Sequence, residues 1–230
     1  MRGGYVFVYQ PFTELYGYLL ARVVVQKTMR RPSSNSESSR QRVLAWALAM
    51  TTNTPLAPQR YERQLLARYQ HGELTIDQVV ELLEASIYQV LYHSWTTQQL
   101  SENQLQELLE YSRRYNAQHQ ITGLLLYSSD GRYVQMLEGA EKDVQALYAK
   151  IQQDSRHQQV VTVSQGPGPK RQFADWHMDF GQVEADMVEQ ILKAIQAQEF
   201  VPRLSTADPR LNALMQSFCI KAREADADDL

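Results

Sequence analysis

"ITGLLLYSSDGRYVQMLEG", residues 121–139, is a β-hairpin written in sequence. The apolar run "ITGLLLYS" (121–128) predicts a buried strand, "SDG" (129–131) a turn, and "RYVQMLE" (132–138) the returning strand. Gln135 falls in phase with Tyr133 and Leu137, on the buried side. An amide left uncompensated there costs about 1–3 kcal/mol. Something must satisfy it.

On either side of the hairpin the pattern is regular. "IYQVLYHS" (87–94) alternates as a strand with Tyr88, Val90 and Tyr92 on one face. "SENQLQELLEYSRRYNAQ" (101–118) opens with a capping box, Ser101 with Gln104, and carries Leu105, Leu108 and Leu109 as an apolar stripe. "EKDVQALYAKIQQD" (141–154) is a second amphipathic helix. "QVVTVSQ" (159–165) and "DWHMDF" (175–180) supply two more strands, joined through "GPGPKRQFA". The order β-α-β-β-α-β-β predicts an α+β class: a ferredoxin-like sheet with two helices on one face.

Flanking helices complete the plan. "PQRYERQLLARYQHG" (58–72) and "TIDQVVELLEA" (75–85) precede the sheet, and "VEADMVEQILKAIQAQ" (183–198) and "DPRLNALMQSFCIKAR" (208–223) follow it. In the third of these, Val183, Met187, Ile191 and Ile195 recur at four-residue spacing. Residues 1–49 read as a poorly ordered extension, because "RRPSSNSESSRQR" (30–42) is polar and serine-rich, and Met1 and Met50 both stand as candidate starts. The predicted divisions are therefore 1–49, 50–85, 86–181 and 182–230, the last ending in an acidic tail.

Composition narrows the function. The 230 residues carry a net charge of −3, against the basic surplus of a general nucleic-acid binder. "YVFVYQPFTELYGYLLARVVV" (5–25) has the length of a membrane span but is broken by Pro11, Glu14 and Arg22. The single cysteine, Cys219, permits no internal disulfide or zinc-ligand set and fits a reducing cytoplasm.

The polar residues then fall together. The stripe of the 101–118 helix runs on into Ser112 and Asn116. Tyr92 ends the inward row of the first strand, and Gln135 lies mid-row on the third, its neighbour in such a sheet. Lys150 lies in the last turn of the second helix, with Arg156 and His157 just beyond. Each has a bland alternative: Ser112 and Asn116 could serve backbone or water, Tyr92 could expose its hydroxyl, and the three basic residues could form a solvated patch. Together they predict a cleft between two helices, floored by a phenol and a carboxamide, which suits a planar ring with one apolar end and one hydrogen-bonding edge.

"VLYHS", "SRRYNAQHQITGLLLYS", "GRYVQMLEG", "QQDSRHQQV" and "FADWHMDF", in this order over residues 86–181, resemble the BLUF family of flavin-based blue-light sensors. The resemblance implies a non-covalently bound flavin, FAD, with FMN or riboflavin as other occupants. It implies that Tyr92 is the redox-active tyrosine and Gln135 the switching glutamine, with Ser112, Trp176 and Met178 also in the photoactive set. Flavin contacts are implied for Asn116, Gln135, Lys150, Arg156 and His157, with Leu108 and Ile151 as apolar clamps. Tyr115 stands where the family often has asparagine or histidine.

The family's enzymatic outputs are appended domains, and about fifty residues follow the sensor region, too few for one, so the expectation is a photoreceptor without catalysis of its own that signals to a downstream protein partner. The apolar stripes of the 183–198 and 208–223 helices, with those of 58–85, make them either the surface that forms a homo-oligomer or binds that partner, or a cover for the open sheet face; the charge and the interrupted 5–25 run give no role to nucleic acid or membrane. A competing reading is an RNA-recognition or other non-photoactive module of the same topology, which would need stacked aromatics on an open sheet face.

Overall fold

The computed structural model describes residues 36–197, apart from 55, 98–100, 175 and 176, together with 210, 211 and 214. The chain divides into two compact units, Met1–Ala85 and Ser86–Leu230.

In the first unit, three helices, α1 (Glu37–Thr51), α2 (Arg60–His71) and α3 (Ile76–Glu84), share a small core of Leu44, Tyr61, Leu65, Tyr69, Ile76 and Val79. Helix α1 corrects the expectation that residues up to 49 are poorly ordered. Ser36 acts as its N-cap, accepting from the Ser39 amide, so a serine read as a mark of disorder supplies the first turn's missing acceptor. Arg40 then donates to the Gln70 carbonyl oxygen at 3.1 Å. Both later helices carry the capping boxes of their sequences, Gln59 with Glu62 and Thr75 with Gln78.

The second unit is the expected α+β, ferredoxin-like sheet. Its elements run β1 (Ile87–Thr96), α4 (Glu102–Gln118), β2 (Thr122–Ser128), β3 (Arg132–Gly139), α5 (Glu141–Gln153), β4 (His157–Gly168), β5 (Asp179–Val183) and α6 (Ala185–Ala197). Strand order is β4-β1-β3-β2-β5. β5 is parallel to β2, and the other three pairings are antiparallel. The hairpin turn closes as its sequence predicts: the Gly131 amide donates to the Ser128 carbonyl oxygen at 2.9 Å, and Gly131 takes φ +88°, a conformation that favours glycine.

Alternation along the strands sorts two cores onto the two faces. Val90, Tyr92, Leu125, Tyr133 and Leu137 meet Leu109 of α4 and Val144 and Tyr148 of α5. Leu91, Leu124, Leu126, Val134 and Met136 meet Val188, Ile191, Leu192 and Ile195 of α6, with Leu211 and Leu214. The C-terminal segment therefore covers the open sheet face. Its buried stripe takes in Val188 and Leu192 and leaves Met187 half-buried, while Val183 belongs to β5 rather than to the helix. Of the expected 208–223 helix, only Arg210, Leu211 and Leu214 are among the described residues.

The last strand also differs from expectation. It spans 179–183, not 175–180. The carbonyl oxygens of His177 and Met178 accept instead from side chains of α4, Asn116 at 2.6 Å and Arg113 at 3.1 Å, so those two residues stay out of the ladder. Among the described residues no helix is long and apolar enough to cross a membrane.

Candidate functional site

Pairing of β1 with β3 sets Tyr92 directly opposite Gln135. Side chains of directly opposed residues stand on the same face, here the one beneath α4 and α5. The Tyr92 hydroxyl, 0% exposed, donates to Gln135 Oε1. Gln135 Nε2 donates to Met178 Sδ at 3.4 Å. Burial, reinforced by the neighbouring Tyr148, Tyr133 and Asp154, holds the Tyr92 phenol well above its ordinary pKa, so it keeps its proton at neutral pH. Tyr148 lies against its ring with centroids 5.2 Å apart.

Asn116, buried on the inner side of α4, donates one N–H to the His177 carbonyl oxygen. Ser112 sits one turn before it and is half-buried, as are Leu108 and Ile151. His157 opens β4, half-buried, with its Nδ1 2.8 Å from Ser94 Oγ and its ring 5.3 Å from that of Tyr133. Burial lowers the His157 pKa, with Asp154 opposing and Arg156 assisting. The imidazole is therefore biased toward its neutral form.

The other two basic residues have protein partners of their own. Arg156 Nε bonds both carboxylate oxygens of Asp154 at 3.0 Å, and that contact pulls Asp154 down to about 2. Lys150 is exposed; its ammonium donates to the Tyr115 hydroxyl at 3.1 Å and stands 4.7 Å from the centre of that ring. Its pKa is raised chiefly by that hydrogen bond. Two positions noted separately in the sequence thus form one bridge between α4 and α5. Trp176 lies outside the described residues.

Arg113, Ser94 and the His177 carbonyl were missed by the sequence reading. Ser94 was legible in principle: it is two residues from Tyr92 on the same strand and extends the inward row. Arg113 offers no such signal, because its partner is a backbone carbonyl 65 residues away.

Hydrogen-bond supply tests whether a flavin suits this place. The Gln135 amide nitrogen has two hydrogens to donate, and its partner among the described residues is a thioether sulfur, a weak acceptor. Asn116 has a carbonyl oxygen beyond its bond to His177. Spare amide donors and acceptors beside half-buried Leu108 and Ile151 fit a ring with a polar edge and an apolar end. Among the described residues no group of three potential metal ligands occurs.

Residues 87–179 match the family model described as "BLUF: Sensors of blue-light using FAD". Photoactivated adenylate cyclase subunit beta of Euglena longa is 33% identical over 150 residues, which is 59% of this chain and 17% of that protein. The blue light- and temperature-regulated antirepressor BluF of Escherichia coli (strain K12) is 27% identical over 106 residues, 46% of this chain and 26% of its own length. Among solved structures, the dark state of BlrB, a BLUF protein, aligns over 57% of this chain and 92% of that one, with TM-score 0.42 and 24% identity. This chain thus spans about a quarter or less of the length of these two curated relatives.

Proposed function

We propose that this chain, whose residues 87–179 form a BLUF domain, converts blue light into a hydrogen-bond rearrangement between Tyr92 and Gln135 and passes it to a protein partner. The domain is a flavin-binding sensor module rather than a catalytic one. The observation that carries the proposal is the buried cross-strand pair, Tyr92 donating to Gln135 while the amide nitrogen rests on Met178.

When bound, the flavin supplies blue-light absorption and an excited state that is a strong oxidant. Gln135, Asn116 and His157 would hold its polar edge, with Leu108 and Ile151 against its apolar end. Ser112 stands beside them. Lys150, on the exposed bridge to Tyr115, and Arg156, paired with Asp154, contribute at the rim of the site. The phenol of Tyr92 is the residue placed to give up a proton, since it already donates to Gln135 Oε1. Gln135 has two arrangements open to it. A half-turn of its planar amide exchanges the group facing Tyr92 and the group facing Met178; a change of tautomer leaves both atoms in place and moves a proton from nitrogen to oxygen, changing which of them donates.

Output follows from the neighbours. Met178 immediately precedes β5, and β5 leads into α6. Two hydrogen-bond states at Gln135 shift the protein only so far as they favour different placements of this segment. The receiving partner is a protein that reads the C-terminal helices or a second copy of the chain, in the manner of a sensor module joined to separate effectors. The RNA-recognition alternative loses its main requirement, because the sheet face such a module exposes is buried under α6.

The test is an absorption spectrum of the purified, flavin-loaded protein before and after blue light. A small red shift that reverses in darkness is the expected result. A preparation that takes up no flavin, or takes it up and shows no reversible shift, overturns the reading.

A further inference from the structure

On the sheet face opposite the switch lies a second buried polar cluster. Glu138 of β3 is 0% exposed and pairs in register with Gln89 of β1 and Thr122 of β2. Its carboxylate accepts from Gln89 Nε2 at 2.9 Å, from the backbone amides of Gln172 and Phe173 at 3.0 Å, and from the Thr122 hydroxyl at 3.4 Å. Arg171 closes the cluster, donating to Thr122 Oγ1, to the Glu138 carbonyl oxygen and to the Gln120 carbonyl oxygen at 2.7–3.0 Å. Gln89 Nε2 also reaches the Lys170 carbonyl oxygen at 3.2 Å. Gly168 makes room for that amide: a Cβ there would meet Gln89 Oε1 at 2.1 Å.

Four consecutive residues of the β4–β5 connection, 170–173, are thereby fastened to the sheet, and Phe173 is sunk in the core beside them. The same connection ends at His177 and Met178, which hold Asn116, Arg113 and Gln135. Its fastenings at 171–173 and its last contact both refer to β3, through Glu138 on one face and Gln135, three residues earlier, on the other. A buried carboxylate with four donors is a poor choice for stability alone, because desolvation offsets most of the attraction. It is a good choice for fixing one geometry.

We propose that Glu138 and Arg171 are positioning residues that set where Met178 stands against Gln135, and that they route the light-driven change forward into β5 and α6 rather than back into β4. With 170–173 held, a change in the Gln135–Met178 contact has only the residues after Phe173 to move. The routing half of this inference rests on the photoreceptor reading; the positioning half does not.

Amide hydrogen exchange on the full-length, flavin-loaded protein separates the two halves. In darkness, Arg171→Met is expected to raise exchange at least about tenfold in peptides covering 172–178, with β1 and β3 peptides unchanged; unchanged exchange at 172–178 overturns the positioning role. In light, wild type is expected to alter exchange in 179–197 and not in 157–168, and Arg171→Met to lose that difference while keeping its flavin. Dark recovery should change at least threefold in Arg171→Met and in Glu138→Gln, but not in Val163→Ala, an apolar truncation on β4 outside the cluster. A light effect of wild-type size in 179–197 of Arg171→Met, or a recovery change equal to that of Val163→Ala, overturns the routing. Should Glu138→Gln fail to fold, Arg171→Met and Arg171→Lys still decide it, the lysine restoring part of the protection. A wild type that shows no reversible red shift defeats the photoreceptor reading and the routing, yet leaves the dark exchange arm to judge positioning.

Discussion

Gln135→Leu is expected to keep its flavin and lose the reversible blue-light shift entirely. Leucine is close to glutamine in volume, and the position is flanked by Tyr133 and Leu137 in an apolar cluster, so packing survives. What disappears is the acceptor for Tyr92 and the donor to Met178. The phenol of Tyr92 would then be buried without a partner, at about 1–3 kcal/mol of stability, and no amide remains to exchange its two ends. Tyr92→Phe makes the complementary test. It keeps the ring against Tyr148 and removes only the hydroxyl. Difference spectra of the two variants, at matched flavin content, should both be flat. A normal shift in either rejects the role assigned to that residue.

Why this pair was legible while its surroundings were not is a matter of range. Strand alternation placed Tyr92 and Gln135 on the buried face, and the ferredoxin-like order made their strands neighbours; the observed register sets them opposite one another. Local rules also found the capping box at Ser101 and the turn at Gly131. The errors arose where tertiary bonds overrode local pattern. Trp176, Met178 and Phe180 alternate like a strand, yet α4 side chains claim the carbonyls at 177 and 178. The serine-rich stretch before Val43 looks unfavourable for a helix, but Leu44 is buried against the α2 and α3 core, and that contact orders it. Arg156 and Lys150, brought to the flavin site by the resemblance, stand beside Asp154 and Tyr115, partners that no local pattern named. Glu138 falls in phase with Val134 and Met136, but no local rule names what satisfies it. Two of its four donors are loop amides more than thirty residues on.

Ile191→Ala is expected to destabilise the α+β unit by about 2–5 kcal/mol, the usual cost of truncating a fully buried aliphatic side chain. Ile191 is 1% exposed and lies in one cluster with Leu91, Leu124, Leu126, Val134 and Met136. A loss of that size is a large share of the roughly 5–15 kcal/mol available to a domain. Urea unfolding should show a clearly lower midpoint, and Lys193→Ala, on the exposed side of the same helix, should not. Below the midpoint the variant's light-induced shift should be intact, since Tyr92 and Gln135 occupy the opposite face. A midpoint no lower than that of Lys193→Ala would mean that α6 is not held on the sheet in solution. The same result would make the helix free to carry the signal by itself. Held on the sheet, it can report on the switch only by moving with β5, and any partner must read the side of α6 that the sheet leaves exposed.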